Sequence, residues 1–294
     1  MNTLITALAT PYKEGKIDAS SYEKLVQYQL DGGVDALLAV GTTAEAQLLT
    51  KNEKRELIVT TKRLANKTPV WAGVAGRSTT EAMCEAVFAE ELGANGILVA
   101  PPSFVKCTPR GYLMYVQEIL KVVSIPVMLY NAPSRCNYTL DKDVIAELSK
   151  RVRYLKDAGK DLNYTASLST KLKVLCGNDI LLPDMLKSGA CGVVSVVSNV
   201  APRLTKRILN GIATSECKRN KHAEEDDYQL FEQLSKLSML EVSPVAIKYM
   251  LYKKGIFNNY NMRLPLTRAN EQTRRKINKM WLKYSAKNGF TYLS

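Results

Sequence analysis

The chain has 294 residues, enough for one large domain with a well-buried core, and 46% hydrophobic and 23% charged residues, as in an ordinary soluble globular protein. No run approaches the roughly 18 consecutive apolar residues of a membrane helix; with the strand-like Leu4-Ile5-Thr6-Ala7-Leu8 at the start, no signal or transit peptide is expected, and the expected location is the cytoplasm. The net charge of +13 admits a nucleic-acid surface, but the basic residues are spread along the chain without interleaved aromatics, so no nucleic-acid partner is expected.

Short apolar runs alternate with amphipathic stretches from the first residues onward. Strands are expected over 4–9, 36–40, 70–74, 96–100, 126–130, 152–156, 173–176 and 192–196. Helices are expected over 21–30, 51–65, 79–92, 109–122, 141–148 and 180–187. Continuous apolar strands such as Val127-Met128-Leu129-Tyr130 indicate a parallel sheet buried on both faces. Eight of them without a composition break fit a (β/α)8 TIM barrel of the α/β class, spanning residues 1–200. No Gly-x-Gly-x-x-Gly follows the first strand, which argues against a dinucleotide fold. Beyond the eighth strand only helical patterns follow, over 202–213, 224–239, 244–253 and 270–287, so residues 201–294 read as a C-terminal helical extension.

Six cysteines (Cys84, Cys107, Cys136, Cys176, Cys191 and Cys217) lie scattered without C-x-x-C spacing, and the single histidine, His222, sits in a charged run. Metal-ligand spacing is absent, and no Ser-His or Cys-His pair stands out. An enzyme built on this chain needs chemistry without histidine or metal. Lys156 supplies a candidate. It ends the sixth strand beside the small residues Ala158 and Gly159, where it can face a cavity that disfavours an ammonium ion. A neutral amine there attacks a ketone and forms an imine that accepts electrons from the adjacent carbon.

Active residues of a barrel sit at the C-terminal ends of its strands and in the loops beyond them. After the second strand, Gly41-Thr42-Thr43 offers backbone N–H groups and two hydroxyls to an anion. Tyr130 ends the fifth strand, where its hydroxyl can move protons. Arg135, two residues past Pro133, is placed to grip a carboxylate with both guanidinium arms.

Several motifs carry a resemblance over essentially the whole length. They are Ala7-Leu8-Ala9-Thr10-Pro11, Gly41-Thr42-Thr43-Ala44-Glu45, Tyr130-Asn131-Ala132-Pro133-Ser134-Arg135 and Leu155-Lys156-Asp157-Ala158-Gly159. Gly177-Asn178-Asp179, Gly192-Val193-Val194-Ser195-Val196 and Arg263-Leu264-Pro265-Leu266-Thr267 complete the set. Together they resemble the dihydrodipicolinate synthase / N-acetylneuraminate lyase family of Schiff-base aldolases. The resemblance implies that Lys156 forms an imine with pyruvate, with no metal or organic cofactor. Thr42 and Thr43 would hold the pyruvate carboxylate, Thr42 would relay protons with Tyr130, and Val194 would offer its backbone near the keto acid. Arg135 resembles the arginine that binds the carboxylate of aspartate-4-semialdehyde, so the implied product is 4-hydroxy-tetrahydrodipicolinate. The implied assembly is a homotetramer, a dimer of tight dimers.

The departures leave alternatives open. Ser103 and Phe104 stand where the family carries two tyrosines, and phenylalanine passes no protons. Water, Tyr112 or Tyr138 would complete the relay, or the substrate is a sialic acid or 2-keto-3-deoxy sugar acid, or the chain binds a keto acid without turnover. Ala44 and Ala46 replace a glycine and a serine, and Cys136-Asn137 replaces Thr-Gly at a place where asparagine tolerates positive φ. Lys51, Lys54 and Arg77 occupy the region of the family's lysine-feedback site, and their charge is expected to repel lysine.

Overall fold

The computed structural model describes residues 2–103, 105–213 and 221–288. Eight parallel strands form a closed barrel: β1 (Thr3–Ala7), β2 (Ala36–Ala39), β3 (Val70–Val74), β4 (Gly96–Val99), β5 (Val127–Asn131), β6 (Tyr154–Asp157), β7 (Lys173–Cys176) and β8 (Gly192–Ser195). Each pairs with its neighbour in the chain, and β8 closes on β1 through registers such as Ile5 with Val194.

Period-2 alternation sends successive side chains to opposite sides of each strand. Leu4, Leu37, Ile97, Leu129, Leu155, Val174 and Val193 pack outward under the helices. Ile5, Leu38, Trp71, Leu98, Met128, Leu175 and Val194 fill the barrel interior. Each fully buried leucine or isoleucine contributes about 1.5–3 kcal/mol. Trp71 and Tyr154 meet edge to face inside the barrel, ring centroids 5.4 Å apart. Gly96 is the register partner of Trp71, and a Cβ there would lie 2.6 Å from the indole ring. Glycine is required at that contact.

One crossover helix follows each strand: α1 (Ala19–Asp31), α2 (Lys51–Ala65), α3 (Thr79–Glu91), α4 (Pro109–Val122), α5 (Lys142–Leu148), α6 (Leu162–Ser169), α7 (Leu182–Lys187) and α8 (Pro202–Ala213). Their starts are written in the capping residues. Thr50 and Glu53 form a reciprocal capping box on α2, Ser78 caps α3, and Thr108 with Pro109 opens α4. The helix α6 is absent from the sequence reading. Its Leu-Asn-Tyr-Thr-Ala-Ser-Leu-Ser composition favours turns, and the helix is set instead by Asp161, which accepts the N–H groups of Asn163 and Tyr164, and by packing of Tyr164 and Leu168. A small hairpin, Tyr12–Lys13 with Lys16–Ile17, is likewise unanticipated. Its turn places Glu14 and Gly15 at φ 50° and 77°, a pair a tight hairpin demands.

The helix α8 packs against β1 and completes the ring around the barrel, so the boundary drawn at residue 200 falls ahead of the eighth crossover helix. The extension proper holds α9 (Lys221–Ser238), α10 (Val245–Lys253) and α11 (Glu271–Asn288). Every residue from Val245 to Leu251 is buried, because α10 is enclosed on all sides. At its end α9 delivers Ser235, Ser238 and Met239 to the C-terminal mouth of the barrel.

Candidate active site

Lys156 is the inward-facing residue at the upper end of β6, paired in register with Tyr130 on β5 and Leu175 on β7. It is 5% exposed, and its Nζ lies 4.5 Å from the centroid of the Tyr130 ring. Among the described residues it makes no ion pair. The next residue, Asp157, faces outward and braces the strand end. Its Oδ1 accepts from Asn131 Nδ2 and Gly159 N, both at 2.8 Å, and its Oδ2 accepts from Thr165 Oγ1 at 2.9 Å. These bonds join β5, the β6–α6 turn and α6, and so fix the backbone that carries Lys156.

The threonine loop is held by a different set of contacts. Val40 and Glu45, on either side of it, have φ of 47° and 58°, conformations costly for side-chain-bearing residues. Surrounding groups impose them. Thr10 Oγ1 donates to the Ala44 carbonyl at 2.9 Å, and Lys248 Nζ donates to Glu45 Oε1 at 2.7 Å with both side chains wholly buried. The loop between therefore offers Thr42 at the surface and Thr43 buried beneath it. Arg135 is exposed on the helical turn Pro133–Cys136, which ends at Asn137 with φ 47°. Asparagine accommodates the positive φ expected of that position.

Lys156, Tyr130, Thr42, Thr43 and Arg135 line one cavity of about 240 Å3. Val194 does not line it. That residue is packed in the barrel interior opposite Ile5, and Val196, two residues farther toward the mouth, lines the cavity instead. Phe104 lies outside the described residues. Tyr112 and Tyr138 stack on each other at 5.4 Å, and neither lines the cavity. A second, more apolar cavity beside it shares Thr42, Tyr130 and Arg135 and is bounded by Leu48, Leu98 and Leu266.

Residues not assigned a role from the sequence also line it, among them Asp179, Lys160, Ser235, Ser238, Met239 and Ser243. Asp179 and Lys160 stand just past β7 and β6, so position in the barrel was a signal for them. The residues from α9 and the segment after it arrive by tertiary packing, which no local pattern reveals. Burial pushes the Asp179 carboxyl above the usual carboxylate range, against the hydrogen bonds it accepts and the nearby Lys156.

The cations expected to repel lysine are partly neutralised. Lys54 pairs with Glu85, and Arg77 pairs with Glu81 at 3.0 Å. Lys51 lies over the Phe88 ring at 4.9 Å. Lys51, Lys54, Glu81 and Glu85 border one cavity of about 270 Å3, so the charge there is balanced to a degree the sequence reading did not anticipate.

Similarity to known proteins covers the whole architecture. The chain is 33% identical over 291 residues to the 4-hydroxy-tetrahydrodipicolinate synthase of Rickettsia bellii (strain OSU 85-389), with 97% of each chain covered. The crystal structure of dihydrodipicolinate synthase from Aquifex aeolicus superposes with a TM-score of 0.90 at 31% identity, covering 97% of this chain and 98% of that one. The chloride-inhibited dihydrodipicolinate synthase from Acinetobacter baumannii, complexed with pyruvate, gives 0.89 at 29% identity, covering 97% and 99%. The model of the dihydrodipicolinate synthetase family matches residues 1–283, and the chain belongs to that family.

Proposed function

We propose that this chain is a 4-hydroxy-tetrahydrodipicolinate synthase, a Schiff-base-forming lyase that condenses pyruvate with aspartate-4-semialdehyde on the route to diaminopimelate and lysine. The observation that carries this reading is Lys156, buried and, among the described residues, without an ion-pair partner, in a cavity shared with Tyr130 and Arg135.

Lys156 Nζ attacks the pyruvate ketone, and loss of water leaves a protonated imine; no separate cofactor enters this chemistry. The Thr42–Thr43 loop holds the pyruvate carboxylate through hydroxyls and backbone N–H groups. Tyr130, with Thr42, takes a proton from the methyl carbon to give the enamine. The enamine carbon attacks the aldehyde, whose own carboxylate is held by Arg135. The working assembly is a cytoplasmic homotetramer, a dimer of tight dimers, by the resemblance described above.

The test is a coupled assay with pyruvate and aspartate-4-semialdehyde, following reduction of the product by its partner reductase, with Lys156→Ala and Arg135→Ala alongside. Turnover lost in Lys156→Ala, and a raised KM for the aldehyde in Arg135→Ala, support the synthase. Pyruvate trapped by borohydride on Lys156 without turnover moves the assignment to another aldehyde, and no trapping at all removes the aldolase reading. Sedimentation velocity tests the tetramer.

A further inference from the structure

The Thr42–Thr43 loop is fixed at its two ends by different means. It enters at Val40, with φ 47°, against β3, where a Cβ on Gly73 would lie 2.5 Å from the Val40 carbonyl oxygen and 3.0 Å from Gly41 Cα. Close packing sets that end. The loop leaves at Glu45, with φ 58°, and there the fixing contacts are polar. Glu45 Oε1 accepts from Lys248 Nζ at 2.7 Å and Oε2 from Arg263 N at 3.4 Å, with the side chains of Glu45 and Lys248 wholly buried. Inside the turn, Ala44 N and Glu45 N donate to the carbonyls of Gly41 and Thr42 at 3.1 and 3.0 Å, so the backbone of residue 45 is tied directly to that of Thr42.

A left-handed backbone at a residue with a long side chain persists only while its surroundings over-determine it. A carboxylate stays buried only while it is paired. Both conditions at Glu45 rest on the ammonium of Lys248, on α10. The groups around that ammonium come from several elements. Tyr12, on the hairpin, turns its ring face to Nζ at 4.2 Å, and Arg263 lies over the same ring and pairs with Glu53 of α2. Glu45 and Arg263 are the charged groups whose fields reach Lys248. Burial holds the Tyr12 hydroxyl well above its usual range, and hydrogen bonding between Arg263 and Glu53 holds the guanidinium up and the carboxyl down at about 2. Lys248 behaves differently: burial pulls it down to about 8 against the attraction of Glu45. Its charge is the one in this set that changes just above neutral pH.

We propose that Lys248 is a positioning residue for pyruvate: its charged form, acting through Glu45, keeps the Thr42–Thr43 loop in the shape that receives the carboxylate. The inference rests on the reading that this loop holds the pyruvate carboxylate. Loss of the ammonium proton strands the Glu45 carboxylate without its partner. Residue 45 then turns toward water, its φ relaxes, and the bond from Glu45 N to the Thr42 carbonyl carries the shift to the two threonines. Only the fraction of protein with the loop in place binds pyruvate well, so apparent affinity falls with that fraction. The sign follows from the direction of the shift at Lys248: the competent loop is favoured below about pH 8 and is lost as pH rises through that value.

The experiment titrates pyruvate into the full-length protein by calorimetry from about pH 7 to about pH 9.5, with near-ultraviolet circular dichroism checking the fold at each pH. Wild-type affinity is expected to fall at least about fivefold across that range, the lower end of what relaxing one strained residue is worth. Lys156 attacks as a free amine, so imine formation alone would drive affinity the other way. A pair that only stabilised the fold would leave affinity unchanged in protein that stays folded. Two substitutions isolate Lys248. Lys248→Arg keeps a cation over the whole range, and Glu45→Gln removes the buried charge that deprotonation would strand. Each is expected to abolish the alkaline fall, and where one does not fold the other carries the comparison. A wild-type affinity that holds or rises with pH overturns the proposal, as does a fall that persists unchanged in a folded variant. A wild-type protein that binds no pyruvate at pH 7 refutes the functional reading instead, so the two failures are distinct.

Discussion

Two lysines are buried at the C-terminal mouth of the barrel, each over the face of a tyrosine. Lys156 stands 4.5 Å from the ring of Tyr130, and Lys248 stands 4.2 Å from that of Tyr12. Lys248 is wholly inaccessible and joined to Glu45, and burial pulls its ammonium down to about 8 while the carboxylate opposes that fall. It remains a cation at neutral pH, locked in a structural pair. Among the described residues Lys156 has no such partner, and it borders open space. Burial and a cation–π contact are common to both. What separates the reactive amine from the structural one is the absence, among the described residues, of an ion-paired carboxylate, and the presence of a cavity.

Substituting each lysine in turn should separate the two roles. Lys156→Ala is expected to lower turnover on the order of 10³-fold or more, as loss of a covalent nucleophile does, with thermal unfolding little changed. Lys248→Met leaves Glu45 as an uncompensated buried charge. Removing one partner of such a pair costs about 3–5 kcal/mol, so urea unfolding should show a large loss of stability while borohydride still traps pyruvate on the folded fraction. Lys248→Met combined with Glu45→Leu should recover much of that stability, because two apolar side chains carry no desolvated charge. A Lys248→Met protein as stable as wild type would erase the distinction drawn here.

The two lysines also differ in how legible they were. Lys156 was found from a strand-end position, small neighbours and surrounding motifs, all local features of the chain. Lys248 lies in Val245–Lys253, where the helical pattern was clear but nothing indicated a partner 203 residues away in Glu45. Strand positions were readable because continuous apolar runs mark a sheet covered on both faces. The cavity wall was readable only where the barrel's own rule applies, at strand ends. Ser235, Ser238 and Met239 escaped because a helix from another part of the chain brings them there, and α6 escaped because tertiary packing overrides its weak propensity.

A smaller effect tests what the free cations at the mouth do. Arg135 is exposed and holds no ion pair among the described residues, so Arg135→Ala should leave unfolding and pyruvate trapping unchanged. Its loss should raise KM for the aldehyde about 10- to 100-fold, the equivalent of a charged hydrogen bond at about 1.5–3 kcal/mol. Equal losses in pyruvate trapping would show that Arg135 shapes the pyruvate site itself.

The smallest effect belongs to the structural side of the comparison. Arg263 packs over the face of Tyr12 at 4.4 Å and donates to both oxygens of Glu53, with Nη1 to Oε2 at 2.8 Å. Its guanidinium hydrogen bonds hold the Glu53 carboxyl down at about 2, against an ordinary value of 4.5. A carboxylate depressed in the folded state contributes stability that is fully present above its unfolded value and is lost as pH falls through its folded value. The window therefore runs from about pH 4.5 down to about pH 2. With both side chains about one-fifth exposed, solvent screening reduces the contribution to about 1–2 kcal/mol at neutral pH. Glu53→Gln is the right probe, because a glutamine oxygen keeps the capping box with Thr50 while the charge and one of the two Arg263 hydrogen bonds are lost. Chemical unfolding of both proteins should differ by that amount at pH 6, with the gap roughly halved by pH 3 and nearly closed at pH 2. A gap that does not change with pH would mean that Glu53 stabilises the fold through packing, and that the charge network around Tyr12 draws little from the pairing of Arg263 with Glu53.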